Sequence, residues 1–217
     1  NYSNTEFSIE INNNGKKSIR FALSAIKGVG YNAMDNLVKE RDNNGKFSNI
    51  IEFISRLKTD VVNKRQLEKL IQSGSFDSIE TNRAFLFNNV VNLIGISSNL
   101  SQNTYQSSLF NYSDTKSEYI KNLKKFVDWI MLKKLQYELE VIGFYFSNHP
   151  LDFYSEEKLK ALDINSYNEI ITNNKYLKAK LVGSILDIKE RTSKDGNKYA
   201  FITIADKKNQ YELTIFG

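Results

Sequence analysis

Cysteine is absent from the sequence, and proline, tryptophan and histidine occur once each. Without cysteine there can be no disulfide and no thiolate metal site, a usage that suits the cytoplasm. No long uncharged apolar run occurs and the mean hydropathy is -0.45, so no membrane-spanning helix, and hence no membrane partner, is expected. The opening stretch Asn1–Glu10 is polar and lacks a basic start followed by an apolar core, so no signal peptide is expected. The chain starts at Asn1 rather than Met, which predicts a piece of a longer protein. Its Asp and Glu residues are scattered without metal-ligand spacing, so no catalytic residue, no metal site and no cofactor is expected within it. His149, directly before the lone Pro150, reads as a turn residue, and Trp129 and the tyrosines as core. What is present is ordinary globular material: 41% hydrophobic and 25% charged over 217 residues, enough to bury a core in one large or two small domains.

Lys and Arg outnumber Asp and Glu by 30 to 25, a net charge of +5. The location of the cations says more than the excess. Lys16, Lys17, Arg20 and Lys27 surround a Gly-rich turn; Lys121, Lys124, Lys125, Lys133 and Lys134 crowd one expected helix; Lys189, Arg191, Lys194 and Lys198 flank an expected hairpin. Each cluster alone would be a solvated face, whereas together they suggest an extended polyanion track. The abundance of Asn, Lys and Ile reads as genome composition rather than function.

Polar–apolar alternation over Thr5–Ile11, the turn Asn12–Gly15 and an extended Ser18–Leu23 predict a β-hairpin. Ala25–Gly30 opens a helix running to about Arg41. A short helix over Asn49–Leu57 should face Ile50, Ile51, Phe53, Ile54 and Leu57 inward, and Asn63 is placed to cap a second helix reaching Ile71. The turn Ser73–Asp77 and a helix over Asn82–Leu93 follow. Gly95–Thr115, rich in Ser, Asn and Gln, reads as a linker. A helix over Ser117–Val141 should place Tyr119, Leu123, Phe126 and Ile130 on one face. Short helical pieces over Glu156–Tyr167 lead to three strands, Lys178–Ile188, Lys198–Ala205 and Tyr211–Phe216, too few to close a β-barrel.

Ile26-Lys27-Gly28-Val29-Gly30 is the segment richest in chemistry. Two glycines around a small apolar residue allow a tight turn whose N–H groups can approach a ligand, and the following helix N-terminus favours a phosphate. Lys27 adds a cation. Contacts made by backbone alone would hold duplex DNA without reading its sequence. Taken singly the pentapeptide reads rather as an ordinary Gly-rich turn capping a helix. Lys64 and Arg65, opening a later helix, and the Gly-plus-apolar turn Ser73–Asp77 add a second helix–hairpin–helix unit, and two such units side by side form a phosphate clamp.

Three stretches, IRFALSAIKGVG, NKRQLEKLIQSGSFDSI and ELEVIGFYFSNHPLDFY, resemble in order and spacing three consecutive signatures of bacterial DNA polymerase III α subunits, the C-family replicative polymerases. The resemblance spans nearly the whole chain. It implies a mostly α chain with β: residues 1–24 a β-hairpin closing the fingers region, 25–95 a tandem helix–hairpin–helix domain, 96–116 a linker with a clamp-binding peptide, 117–175 a helical connector, and 176–217 the first strands of a truncated OB-fold. By the same resemblance, duplex primer–template DNA would be held by Lys27, Gly28, Val29, Gly30, Lys64 and Arg65. Gln106-Ser107-Ser108-Leu109-Phe110 would dock on the β sliding clamp, although the pentapeptide alone reads rather as Leu109 and Phe110 tacking the linker onto the parent domain. Other polymerase III holoenzyme subunits would be reached through the rest of the parent protein, whose aspartates would hold the Mg²⁺ ions of nucleotidyl transfer. Met34 departs from the family's generic pattern, which prefers a small residue there, so helix packing at that point must adjust.

Basic Arg191, Lys194 and Lys198 beside alternating Tyr199 and Phe201 suit single-stranded DNA, whose bases stack on aromatic faces. Core packing is the open alternative, because Ala200, Ile202 and Ile204 on the other face are apolar too. A reading from another class is a stand-alone repair adaptor built from helix–hairpin–helix and OB modules without polymerase chemistry.

Overall fold

The first hairpin forms where the alternation places it. In the computed structural model, which describes residues 1–11, 14–57, 61–103, 119–165, 167–172 and 178–217, β1 (Ser8–Ile11) and β2 (Lys17–Arg20) pair antiparallel, Ser8 opposite Arg20 and Ile11 opposite Lys17. The chain divides into two units, Asn1–Phe146 and Ser147–Gly217.

In the first unit a three-residue 3-10 turn, Leu23–Ala25, precedes the Gly-rich turn and α1 (Tyr31–Asn44). α2 (Ile50–Arg56) starts at Asn49, whose side chain accepts the Glu52 N–H at 2.9 Å. α3 (Lys64–Gln72) carries a capping box: Asn63 accepts the Gln66 N–H at 3.0 Å and Gln66 accepts the Asn63 N–H at 2.8 Å. Each such cap stabilises its helix by about 1 kcal/mol. All five residues assigned inward on α2 are buried, together with Val29, Met34, Leu67, Leu70, Ile71, Leu86 and Leu93. Met34 is accommodated as a fully buried core side chain. The Phe53 ring stands edge-on to Phe47 at 5.0 Å and to Phe76 at 4.8 Å.

Three expectations are corrected. The helix over Asn82–Leu93 is two, α4 (Arg83–Asn88) and α5 (Val90–Asn103). They part at buried Asn89, whose side-chain amide donates to Phe85 O at 2.9 Å and Lys124 O at 2.8 Å, drawing the chain out of a single helix. The linker expected over 96–116 is helical as far as Asn103. Val90, Leu93 and Ser97 share the buried side of α5, and the Ser97 hydroxyl is tolerated there because it donates to Ile54 O at 2.8 Å.

The single helix expected over Ser117–Val141 does not form. Residues 119–121 are helical, 124–130 are not, and α6 covers Met131–Ile142. Groups from α4 and its flanks bond this strap: the Asn82 side chain donates to Phe126 O at 2.9 Å, that of Asn89 to Lys124 O, and the Ala84 backbone N–H to Asp128 Oδ1 at 3.2 Å. Burial alone would raise the Asp128 pKa, but bonds from Lys134, Ala84 and Trp129 outweigh it and hold it low. Leu123 is buried while Ile130 is 72% exposed, so the expected common face is broken and the cations of this stretch do not share a helix. Trp129 packs on Phe87 and Tyr137, at 5.3 and 4.5 Å.

In the second unit His149 caps a 3-10 turn, Pro150–Phe153. Its Nδ1 accepts the Leu151 N–H at 3.1 Å and Asp152 accepts the His149 N–H at 2.8 Å, the structural role expected of it. Burial lowers the imidazole pKa. α7 (Glu156–Ala161) and α8 (Tyr167–Thr172) follow. β3 (Ser184–Thr192), β4 (Lys198–Ala205) and β5 (Gln210–Phe216) form an antiparallel sheet in that order. β3 begins later than expected. The chain enters past Gly183, where a β-carbon would collide with Ile204, and the strand then runs on to the basic turn at Ser193–Asn197.

Candidate nucleic-acid interface

Ile26 and Val29 are buried and anchor the Gly-rich turn from below, leaving Lys27, Gly28 and Gly30 exposed. Gly28 has φ +87° and Gly30 φ +75°, conformations that side chains with a β-carbon adopt only under strain. Gly30 is the N-cap of α1 and offers no side-chain acceptor, and the first turn of α1 contains no acidic residue. The free N–H groups and partial positive charge of that helix end therefore face the exposed side of the turn.

Two helices hold the turn in place. From α3, Gln66 donates to Val29 O at 2.6 Å. From α6, Val141 O accepts the Lys27 N–H at 2.8 Å, and the Lys27 ammonium lies by Gly143. The three signature stretches thus meet at one point. Arg65 and Lys69, one helical turn apart, flank Gly28: a β-carbon placed there would lie 3.9 Å from Arg65 Nε and 3.7 Å from Lys69 Cγ. Lys64 is exposed on the flank of α3, 3.8 Å from Glu68. Between the starts of α1 and α3 runs a groove lined by Gly30, Tyr31, Asn32, Asn36, Asn63 and Gln66.

The second Gly-containing turn is built differently. At Gly74, φ +77°, a β-carbon would collide with the Arg83 guanidinium, so the close backbone approach is used internally. Arg83, nearly fully buried, pairs with Asp77 at 2.6 Å and with fully buried Glu138 at 2.9 Å. Burial alone would lower its pKa, but these carboxylates raise it, so it stays charged. This turn encloses an ionic knot, with Arg83 held between two carboxylates. The sequence reading missed Gln66, Lys69, Arg83, Glu138 and Glu140. Of these, the capping-box spacing Asn63–Gln66 and the i, i+4 repeat Arg65–Lys69 were the available signals.

In the three-stranded sheet, residues paired across the ladder share a face. Tyr199 is opposite Arg191 and Phe216, and Phe201 opposite Lys189 and Thr214, so the aromatics share a face with two cations. Tyr199 contacts Phe201 at 5.5 Å and Phe216 at 6.2 Å, and Phe216 is 77% exposed. Ile188, Ile202, Ile204, Leu213 and Ile215 occupy the other face. Lys198, opposite Thr192, alternates to that aliphatic side, and Lys194 lies in the turn, so neither joins the aromatic face. Gln106–Phe110 lies outside the described residues.

A backbone turn held by two helices, with an uncapped helix end and flanking cations, is helix–hairpin–helix geometry, and the family described as "Helix-hairpin-helix motif" matches residues 1–86. The relationship extends well past that motif. The chain is 34% identical over 219 residues to a DNA polymerase III subunit alpha of Campylobacter jejuni, covering 97% of this chain and 18% of that protein. It is 34% identical over 206 residues to that of Borreliella burgdorferi (91% and 18%) and 32% identical over 216 residues to that of Aquifex aeolicus (100% and 17%). Over nearly its whole length the chain is therefore related to bacterial DNA polymerase III α subunits, the family that its three signature stretches resemble. It spans about 18% of the length of these relatives.

Proposed function

We propose that this chain is the part of a replicative DNA polymerase III α subunit that holds primer–template duplex DNA rather than performing the chemistry. The observation that carries the proposal is the uncapped Gly28–Gly30 turn at the start of α1, set among Lys27, Arg65 and Lys69. Its N–H donors suit a backbone phosphate, and Lys27, Lys64 and Arg65 add sequence-independent attraction. In the same reading Gln106–Phe110 tethers the β sliding clamp, and the sheet begins an OB-fold whose Arg191, Tyr199 and Phe201 touch single-stranded template. Lys194 and Lys198 contribute there only long-range charge. The parent polymerase works in the cytoplasm with other holoenzyme subunits, and its Mg²⁺-holding aspartates lie outside these residues. The chain alone should then extend no primer.

The test is duplex binding as a function of salt. Affinity should fall about tenfold or more from low to physiological salt, as a handful of phosphate contacts requires. Gly28→Asp strains the turn and sets a carboxylate between Arg65 and Lys69, and should weaken binding by about tenfold. Binding that ignores salt, or survives Gly28→Asp unchanged, sinks the proposal.

The sheet has its own test. In a protein that includes the complete OB domain, Tyr199→Ala or Phe201→Ala should cost about 1–3 kcal/mol of single-strand affinity per stacked base, with unfolding unchanged. If both variants instead unfold early and bind normally once folded, the two rings are core.

A further inference from the structure

Lys69 is the cation at the Gly28 turn that already has an anion. Its side chain passes Gly28 and ends 2.6 Å from Glu140 Oε1. The partners lie on α3 and α6, 71 residues apart, so helical spacing does not account for the pair. The same α6 end that delivers Glu140 also takes the Lys27 N–H on Val141 O. Glu140 is 56% exposed and Lys69 21%, and ion pairs so open to water add little to stability. The pair matters more for the local field. A carboxylate on Lys69, whose side chain passes the Gly28 turn, presents the same charge and acceptor oxygens as a phosphate at the place where a phosphate is proposed to bind.

We propose that Lys69 is a further phosphate ligand of the duplex site and that Glu140 is its internal counter-anion, displaced when a backbone phosphate arrives. This rests on the reading that the Gly28 hairpin grips duplex DNA. With the pair closed, the site offers one cation fewer and the carboxylate repels the DNA backbone. When a phosphate takes Lys69, Glu140 is released to solvent, where its exposure already allows it to be hydrated. As the phosphate leaves, Glu140 recaptures the ammonium. Such a grip is firm only while a phosphate is in register, which suits a protein that must hold DNA of any sequence and let it move.

The experiment measures affinity of the 217-residue chain for a random-sequence duplex over a range of salt concentrations. The variants are Glu140→Gln, Lys69→Gln, the double variant and Gly28→Asp. Glu140→Gln should bind about threefold tighter at low salt, from the loss of one nearby like charge. Glu140→Gln keeps every phosphate contact and should leave the slope of log affinity against log salt near wild type, whereas Lys69→Gln should flatten it by about one, the mark of one lost contact. Lys69→Gln should bind more weakly, and adding Glu140→Gln to it should change affinity less than Glu140→Gln does alone. If Glu140→Gln leaves affinity unchanged while Gly28→Asp weakens binding about tenfold, the counter-anion role is wrong and the hairpin reading stands. If Gly28→Asp leaves binding intact, the hairpin reading fails and the role of Glu140 fails with it. Equal effects of Glu140→Gln with and without Lys69 also overturn the pairing. Denaturant melts followed by Trp129 emission, which reports on the unit that holds both residues, show whether each variant is folded.

Discussion

Replacing Glu138 by alanine should destabilise the Asn1–Phe146 unit by about 3–5 kcal/mol, the cost of stranding a buried charge. Glu138 is fully buried, and its two oxygens accept from Arg83 at 2.9 Å and from the Phe146 N–H at 3.1 Å. Its removal leaves a buried guanidinium with one carboxylate instead of two and a backbone donor without its acceptor. Asp77, the other partner, is 42% exposed, so Asp77→Ala should cost much less, on the order of 1 kcal/mol. The measurement is urea unfolding followed by Trp129 fluorescence, since the chain's sole tryptophan packs on Phe87 and Tyr137 within this unit. Equal losses from the two variants would mean that burial does not rank these carboxylates.

The second large effect is expected at the clamp peptide. Leu109→Ala with Phe110→Ala should remove about 4 kcal/mol of affinity for the purified β clamp, roughly a thousandfold, at about 2 kcal/mol per buried anchor. Wild-type binding should be on the order of micromolar, about 8 kcal/mol, because a short segment must be ordered on docking. A modest single contact would become effective if the hairpin held the DNA that the clamp encircles, since the second attachment would then be intramolecular. Titration of clamp against both chains, alongside Trp129 melts, separates the outcomes. Lost binding with an unchanged melt supports the tether, and unchanged binding eliminates it. A much lower melting point would return Leu109 and Phe110 to packing on their own domain.

Local grammar carried much of the fold. The alternation around Ile9 and Ile19, the cap at Asn63 and the inward set from Ile50 to Leu57 each depend on neighbours within one or two turns, and each appears where the residues place it. The misses have long-range causes. Asn89 breaks a helix because its amide is needed by Lys124 O, 35 residues away. The strap over 124–130 keeps its apolar residues in a helix-like pattern, yet Asn82 and Asn89 bind its carbonyls and hold it open. α5 extends through polar residues because one serine finds a carbonyl on α2. At the site, the glycines and Lys27 were legible as a turn that could face a phosphate. The partners from α6 were not, since nothing local marks Glu140 or Val141 as neighbours of residues 69 and 27. For Tyr199 and Phe201 the period of two defines two faces, and only the ladder register shows which face carries Arg191.

The support that Val141 gives Lys27 also bears on synthesis. A ribosome will have made the whole Gly-rich turn and α3 while α6, which fixes the turn from the other side, is still untranslated. At bacterial elongation rates of roughly 5–20 residues per second, the stretch from the end of α3 to the end of α6 takes about 4–14 s to make. During that interval the nascent hairpin has its glycines and its lysine but neither the Val141 carbonyl nor the Glu140 carboxylate. The hairpin therefore gains the carbonyl that fixes Lys27 and the carboxylate that occupies Lys69 together, late in translation of this unit.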